Sequence, residues 1–96
     1  MDEIPKWLES TIALLKRAYP DGVSQDDWDG IMFLLYEHMS DRALAKTVSY
    51  FTGIDYPIHY NDVLRIGAYG CEPAIVERVR MRLNAAGYDE WVAEEG

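Results

Sequence analysis

The sequence predicts an all-α protein, a compact five-helix bundle that forms a single domain. Two observations support this. Apolar residues recur at helical spacing along most of the chain, and residues that start or stop helices bound each apolar segment. Of 96 residues, 49% are hydrophobic and 27% are charged, which is enough apolar surface for one folded core. We expect residues 1–92 to form this domain and residues 93–96 to be a frayed acidic tail.

The first two predicted helices have clear boundaries. The first begins at about Pro5, since proline suits a position that needs no backbone donor, and ends at Ala18 before the turn at residues 19–22. The second follows Ser24, which can cap its first turn, and Asp27 completes a capping-box-like start. Its apolar residues keep strict helical spacing: Trp28, Ile31, Met32, Leu35, Tyr36 and Met39.

The third and fourth helices are predicted from the residues that interrupt them. Ser40 is expected to cap a helix over Asp41–Thr52, and Gly53 to end it in the left-handed conformation. Because the connection at Ser40 is short, the second and third helices should meet in a tight corner. Residues 54–59 are predicted to be a loop, followed by a fourth helix over about Tyr60–Tyr69.

The last segment is ambiguous between a strand and a helix. Residues 79–83 alternate between apolar and polar side chains, as a half-buried strand does. Pro73 at a first helical position and the ending near Gly87 favour a fifth helix, with Trp91 holding the tail against the bundle. The side chains predicted to be mostly buried are Trp28, Leu35, Leu44, Val48, Val79 and Leu83.

Composition narrows the possible functions. Seventeen acidic and nine basic residues give a net charge of −8, concentrated in residues 1–40 (net −5) and 85–96 (net −4). Nucleic acids and anionic lipids are bound through Lys and Arg, so this balance disfavours both as partners. No apolar run approaches the ~20 residues of a membrane span, and the N-terminus lacks the layout of a signal peptide. With a single cysteine, these features predict a cytoplasmic protein without a membrane partner.

Several short motifs occur in a recognisable order: Arg17-Ala18-Tyr19-Pro20-Asp21-Gly22-Val23, Ser40-Asp41, Asp62-Val63, Pro73, and the arginine-bearing segment Val76–Tyr88. In this order they resemble a family of small mycobacterial and related actinobacterial proteins, also found in phages, known as domain of unknown function 3349. The likeness spans residues 16–88, although Cys71-Glu72-Pro73-Ala74 replaces the family's Ser-Pro-Glu-Asp-like run. The resemblance implies a five-helix bundle and an actinobacterial or phage origin, and it supplies no catalytic or binding residues.

Two groupings resemble chemical sites, and each has a simpler explanation. Residues 25–30 resemble a calcium loop, but the first ligand position holds glutamine and the twelfth holds tyrosine instead of glutamate. Cys71 with His59 or His38 resembles a nucleophile and its base, but no third residue is marked to orient the base. We therefore predict no enzyme activity, no cofactor and no metal site.

Non-catalytic binding of an unidentified protein partner is the function that the sequence favours, by a chain expected to be a monomer. Tyrosines offer a large contact area with a polar tip and are enriched at interfaces. The candidate partner surface is Tyr56, Pro57, Ile58, His59 and Tyr60.

A small helical DNA-binding regulator is the alternative function, and an enzyme ranks third. The regulator would use the corner between the second and third helices together with Arg78 and Arg82, which share a face of the last helix. Ion pairs with Glu77 or the acidic tail are the simpler role for these arginines.

Overall fold

Six α-helices follow one another along residues 6–95, the part of the chain that the computed structural model describes. They are α1 (Glu9–Ala18), α2 (Gln25–Leu35), α3 (Asp41–Thr52), α4 (Tyr56–Tyr69), α5 (Pro73–Ala85) and α6 (Tyr88–Glu95), and a 3₁₀ turn over Lys6–Leu8 precedes α1. No described residue lies in a strand, so the all-α prediction is confirmed and the ambiguous residues 79–83 are helical. The predicted number of helices is wrong: residues 6–95 contain six α-helices instead of five.

The predicted caps of α2 and α3 form as expected. The Ser24 hydroxyl accepts a hydrogen bond from the Asp27 backbone N–H at 3.2 Å, and the Ser40 hydroxyl accepts one from the Ala43 N–H at 3.1 Å. Gly53 ends α3 with a φ of 72°, the left-handed conformation that glycine adopts without strain. The predicted Pro5 start of α1 lies outside the described residues.

The fourth helix begins four residues earlier than predicted, so the expected loop over residues 54–59 is wrong in its second half. Asp55 precedes the helix, and Pro57 occupies its first turn. A backbone N–H in that turn has no carbonyl partner within the helix, so proline loses nothing there and its fixed φ favours helix formation. Pro57 therefore belongs to the first turn of a helix and not to the predicted loop.

The additional helix, α6, follows Gly87 directly. Its Trp91 is 3% exposed and donates through Nε1 to the Thr11 hydroxyl of α1 at 3.1 Å, which confirms that this residue holds the C-terminal segment. Tyr88 is buried beside Trp91, and its hydroxyl donates to the Leu34 carbonyl of α2 at 3.3 Å. Residues 93–95 continue this helix.

Helix α2 occupies the middle of the bundle, with α3, α4 and α5 against it, while α1 lies against α5 and α6. The radius of gyration is 12.2 Å, close to the roughly 12.5 Å of a compact chain of this length. All six side chains predicted for the core are buried: Trp28, Leu35, Leu44, Val48, Val79 and Leu83. Among the described residues, no helix is long and apolar enough to cross a membrane.

Helices α2 and α5 pack closely where α2 carries Gly30. A Cβ built on Gly30 would lie 2.6 Å from Cγ2 of Val79 and 3.2 Å from Cγ2 of Ile75, both in α5. The missing side chain therefore sets the distance between α2 and α5. This glycine, which stood at the sixth position of the calcium-loop comparison, serves helix packing.

Candidate interaction surfaces

The five residues of the predicted partner surface differ in their exposure to solvent. Pro57 and Ile58 are exposed on the first turn of α4, with Ile58 at 54%. Tyr56 and Tyr60 are half-buried against the core, and their rings stack with centroids 5.7 Å apart. His59 is 7% exposed and points inward.

His59 fastens the start of α4 to the end of α3. Its Nε2 lies 2.6 Å from the Thr52 hydroxyl, and its Nδ1 lies 3.5 Å from a carboxylate oxygen of Asp62. The Thr52 hydroxyl also accepts a hydrogen bond from the Ile54 N–H at 3.2 Å. His59 therefore stabilises this connection between the helices and offers a partner little surface.

Ile54, which is 47% exposed just before α4, was not predicted to belong to this surface. Its backbone is held by the Ser49 hydroxyl, which donates to the Ile54 carbonyl at 2.6 Å. We call Ile54, Tyr56, Pro57, Ile58 and Tyr60 the α3–α4 corner. Because hydrogen bonds from α3 and His59 fix its backbone, the corner presents its apolar side chains on a preformed scaffold.

The arginines of the alternative DNA-binding surface are exposed, with the Arg78 side chain at 54%, and each also contacts the bundle. Arg78 donates through Nε to a carboxylate oxygen of Asp27 at 3.0 Å, and its Nη2 donates to the same oxygen. Asp27 is 7% exposed. Arg82 donates through Nε to the Ala18 carbonyl at 2.6 Å, and its guanidinium lies 4.3 Å from the centre of the Tyr19 ring. We call Tyr19, Asp27, Arg78 and Arg82 the arginine cluster, which joins α5 to α1 and α2.

Tyr19 is the least expected member of this cluster. It is 4% exposed, and its hydroxyl is buried with no hydrogen-bond partner among the described residues. Burial raises the pKa of Tyr19 well above its usual range, and the neighbouring Asp27 carboxylate raises it further, against the opposing effect of Arg82 and Arg78. The phenol is therefore protonated at neutral pH.

Further arginines are also engaged within the molecule. In each case the partner lies on a different helix, in the turn between two helices, or one turn away on the same helix. The contacts are Arg17 Nε to the Ala86 carbonyl (2.9 Å), Arg65 to Asp29 (3.2 Å) and Arg80 to Glu77 (3.6 Å). With seventeen acidic and nine basic residues, the chain as a whole carries a net charge of −8.

The side chains considered for catalysis have the following surroundings. Burial and the nearby Asp29 carboxylate raise the pKa of the Cys71 thiol, whereas an activated cysteine needs a lowered pKa. His59 is committed to Thr52 and Asp62. Helix α2 runs through the segment compared with a calcium loop, and no group of three potential metal ligands occurs among the described residues.

A groove between α2, α5 and α6 was not foreseen from the sequence. It encloses about 290 Å³, and its principal lining residues are Phe33, Glu37, His38, Arg80, Tyr88 and Asp89. A smaller cavity of about 110 Å³ lies beside it and shares Phe33 and Glu37. We call the two together the α2 groove. The sequence feature that could have indicated the groove is the unbroken apolar run Ile31–Tyr36. Six consecutive apolar residues cannot all lie on one face of a helix, so Phe33 and Tyr36 remain partly exposed.

Comparison with known proteins gives no assignment: no protein-family model matches the chain, and no curated protein or solved structure matches it. The resemblance to domain of unknown function 3349 stays a prediction from the sequence.

Proposed function

We propose that this protein is a non-catalytic protein-interaction module that binds its partner through the α3–α4 corner. The observation that carries the proposal is the pair of exposed isoleucines, Ile54 at 47% and Ile58 at 54%, on either side of the start of α4. Pro57 lies between them and stiffens the backbone. An apolar surface that is already ordered loses little conformational entropy on binding, which favours its use as an anchor.

Charge supports a protein partner over DNA. A DNA-binding surface needs several Lys or Arg side chains free to meet phosphates. Arg78 and Arg82, which the alternative requires, contact Asp27, Ala18 and Tyr19 instead. With a net charge of −8, the molecule suits a partner with a basic surface.

The proposal includes a setting. From the composition of the chain, we propose that the protein is cytoplasmic. From its resemblance to domain of unknown function 3349, we propose that it is encoded by an actinobacterium or by a phage of one. We propose that it acts as a monomer and needs no cofactor.

Affinity capture with matched variants tests the function. Tagged wild type, Ile58→Asp and Leu64→Asp are incubated with an actinobacterial lysate. Leu64 is the control because it is also on α4 and 41% exposed, but lies nearly two turns from Ile58. We expect a partner that wild type and Leu64→Asp retain and Ile58→Asp loses, with circular dichroism confirming that both variants fold. Equal retention by Ile58→Asp, or no partner at all, contradicts the proposal.

A further inference from the structure

The α2 groove has an apolar floor and a size suited to peptide side chains. Leu34 and Tyr88 form the buried floor, and Phe33, at 39% exposed, forms a wall. The Tyr88 hydroxyl already donates to the Leu34 carbonyl, so the floor offers a ring face and not an unpaired polar group. The larger cavity of the groove, at about 290 Å³, lies at the lower limit of ligand pockets, roughly 300–1,000 Å³, which favours one or two side chains over a cofactor.

The smaller cavity provides a second apolar position. It is lined by Tyr36, Ile66, Gly67 and Gly70, and the Tyr36 ring lies so close to Gly67 that a Cβ there would be 2.7 Å from it. Phe33 and Glu37 belong to both cavities, since they are four residues apart and project from the same side of the chain. A carboxylate therefore stands on the ridge between two apolar positions.

The charge around this ridge is negative. Glu37 and Asp89 are exposed, and the basic side chains that line the groove are Arg80, which is paired with Glu77 at 3.6 Å, and His38, which packs against the Tyr88 and Trp91 rings. Burial raises the pKa of Tyr88, Arg80 opposes this, and Glu37 and Asp89 add to it, which places all three charges within electrostatic reach of the floor.

We propose that the α2 groove binds a basic peptide segment of a protein partner, in which a Lys or Arg lies between two apolar side chains. The basic side chain contacts Glu37 on the ridge. One apolar side chain enters the larger cavity beside Phe33 and Tyr88, and the other enters the smaller cavity beside Tyr36. This inference rests on the proposed protein-binding function, but it assigns a contact surface separate from the α3–α4 corner.

Selection from a library of random 12-residue peptides displayed on phage tests the inference. We expect wild type to enrich peptides in which a Lys or Arg is flanked by two apolar residues. Synthetic versions are then titrated by calorimetry into wild type, Glu37→Lys, Phe33→Ala and Asp21→Lys. Asp21 is an exposed carboxylate outside the groove, so its reversal changes the net charge as Glu37→Lys does without altering the ridge.

The expected result is at least ten-fold weaker binding to Glu37→Lys and Phe33→Ala, and binding to Asp21→Lys within about two-fold of wild type. Enriched peptides that lack a base, equal losses in Glu37→Lys and Asp21→Lys, or no enrichment would overturn the inference. Ile58→Asp separates the two surfaces. If the peptides lose affinity for Ile58→Asp and keep it for Glu37→Lys, the groove is rejected while the corner stands. If the peptides lose affinity for Glu37→Lys and keep it for Ile58→Asp, the groove is supported independently of the corner.

Discussion

We expect the stability of the fold at alkaline pH to depend on the protonation of one side chain, Tyr19. Its hydroxyl is buried without a partner beside the Asp27 carboxylate. Ionising the phenol in the folded state would place two negative charges together away from water, so the folded state holds the proton more tightly than the unfolded chain. The pKa of Tyr19 is therefore raised above its usual value, and its contribution to stability depends on the proton remaining bound.

Tyr19→Phe should change stability at high pH and have little effect at neutral pH. Because the pKa of Tyr19 is higher in the folded state, the stabilisation by its bound proton is fully present below about pH 10, the pKa of tyrosine in the unfolded chain. This stabilisation is lost as the pH rises toward the folded-state pKa. At pH 7 the lost hydroxyl had no partner, so we expect the free energy of unfolding to change by no more than about 1 kcal/mol. Urea denaturation at pH 7, 10 and 11 measures both effects. If the free energy of unfolding falls equally in variant and wild type above pH 10, Tyr19 ionises in the folded state as it does in the unfolded chain.

The sequence could identify the residues of the arginine cluster but not their pairing. Asp27 was predicted as part of a helix cap and occupies that position, yet its carboxylate binds Arg78, which lies 51 residues away. Helical spacing gives the direction of a side chain within its own helix. It does not say which face of another helix will lie opposite, because that depends on how the whole bundle packs.

Arg78→Met should lower the melting temperature clearly, because it leaves the Asp27 carboxylate buried without its basic partner. Arg80→Met is the matched control, since Arg80 is on the same helix but pairs only with the exposed Glu77. We expect no measurable change for this control in thermal unfolding followed by circular dichroism. Adding Asp27→Asn to Arg78→Met should recover part of the loss, because it removes the buried charge. Equal effects of Arg78→Met and Arg80→Met would contradict this reading.

At the scale of the helices, boundaries were predicted well where a cap is local. Ser24, Ser40 and Gly53 act through atoms three or four residues away, so the sequence contains what is needed to predict them. The start of α4 was missed because proline suits both a loop and the first turn of a helix. Helix α6 was missed because its formation depends on Tyr88 and Trp91 being buried against α1 and α2, which is a tertiary effect.

Replacing two helical glycines by alanine should have opposite effects on the free energy of unfolding. At Gly30 the new Cβ would collide with Val79, which is fully buried and cannot move aside. We expect overpacking of about 1–3 kcal/mol to exceed the gain of up to about 1 kcal/mol in helix propensity, so that Gly30→Ala is destabilised. At Gly67 the obstacle is the ring of Tyr36, which is 37% exposed and can swing outward.

Gly67→Ala should therefore be as stable as wild type or more stable, by up to about 1 kcal/mol. Urea denaturation of both variants checks the contrast, and the two changes add the same methyl group. A Gly30→Ala protein as stable as wild type would mean that α2 and α5 can separate without cost.

For the whole molecule, the sequence predicted the all-α class and the core residues but not the α2 groove. The core follows from the periodicity of each helix, and the groove forms where α2, α4, α5 and α6 border one another. Its lining residues are spread from position 33 to position 92 of the chain. Their juxtaposition depends on the packing angles of these helices, which no local pattern specifies.

The overall charge leads to a final expectation about DNA. Each phosphate contact requires a basic side chain that can displace a counterion, and a net charge of −8 repels the duplex before contact. Arg78 and Arg82 are exposed but hydrogen-bond to Asp27 and Ala18, and α3 presents the exposed Arg42 and Lys46, which together make a thin basic footprint. We expect no duplex binding tighter than about 10 µM near physiological salt, far weaker than the ~10 nM of specific binders. Fluorescence anisotropy of labelled duplexes measures this. Micromolar binding that weakens with added salt and is lost in Arg42→Ala or Lys46→Ala would favour the DNA-binding alternative, because those substitutions remove the only exposed bases of α3.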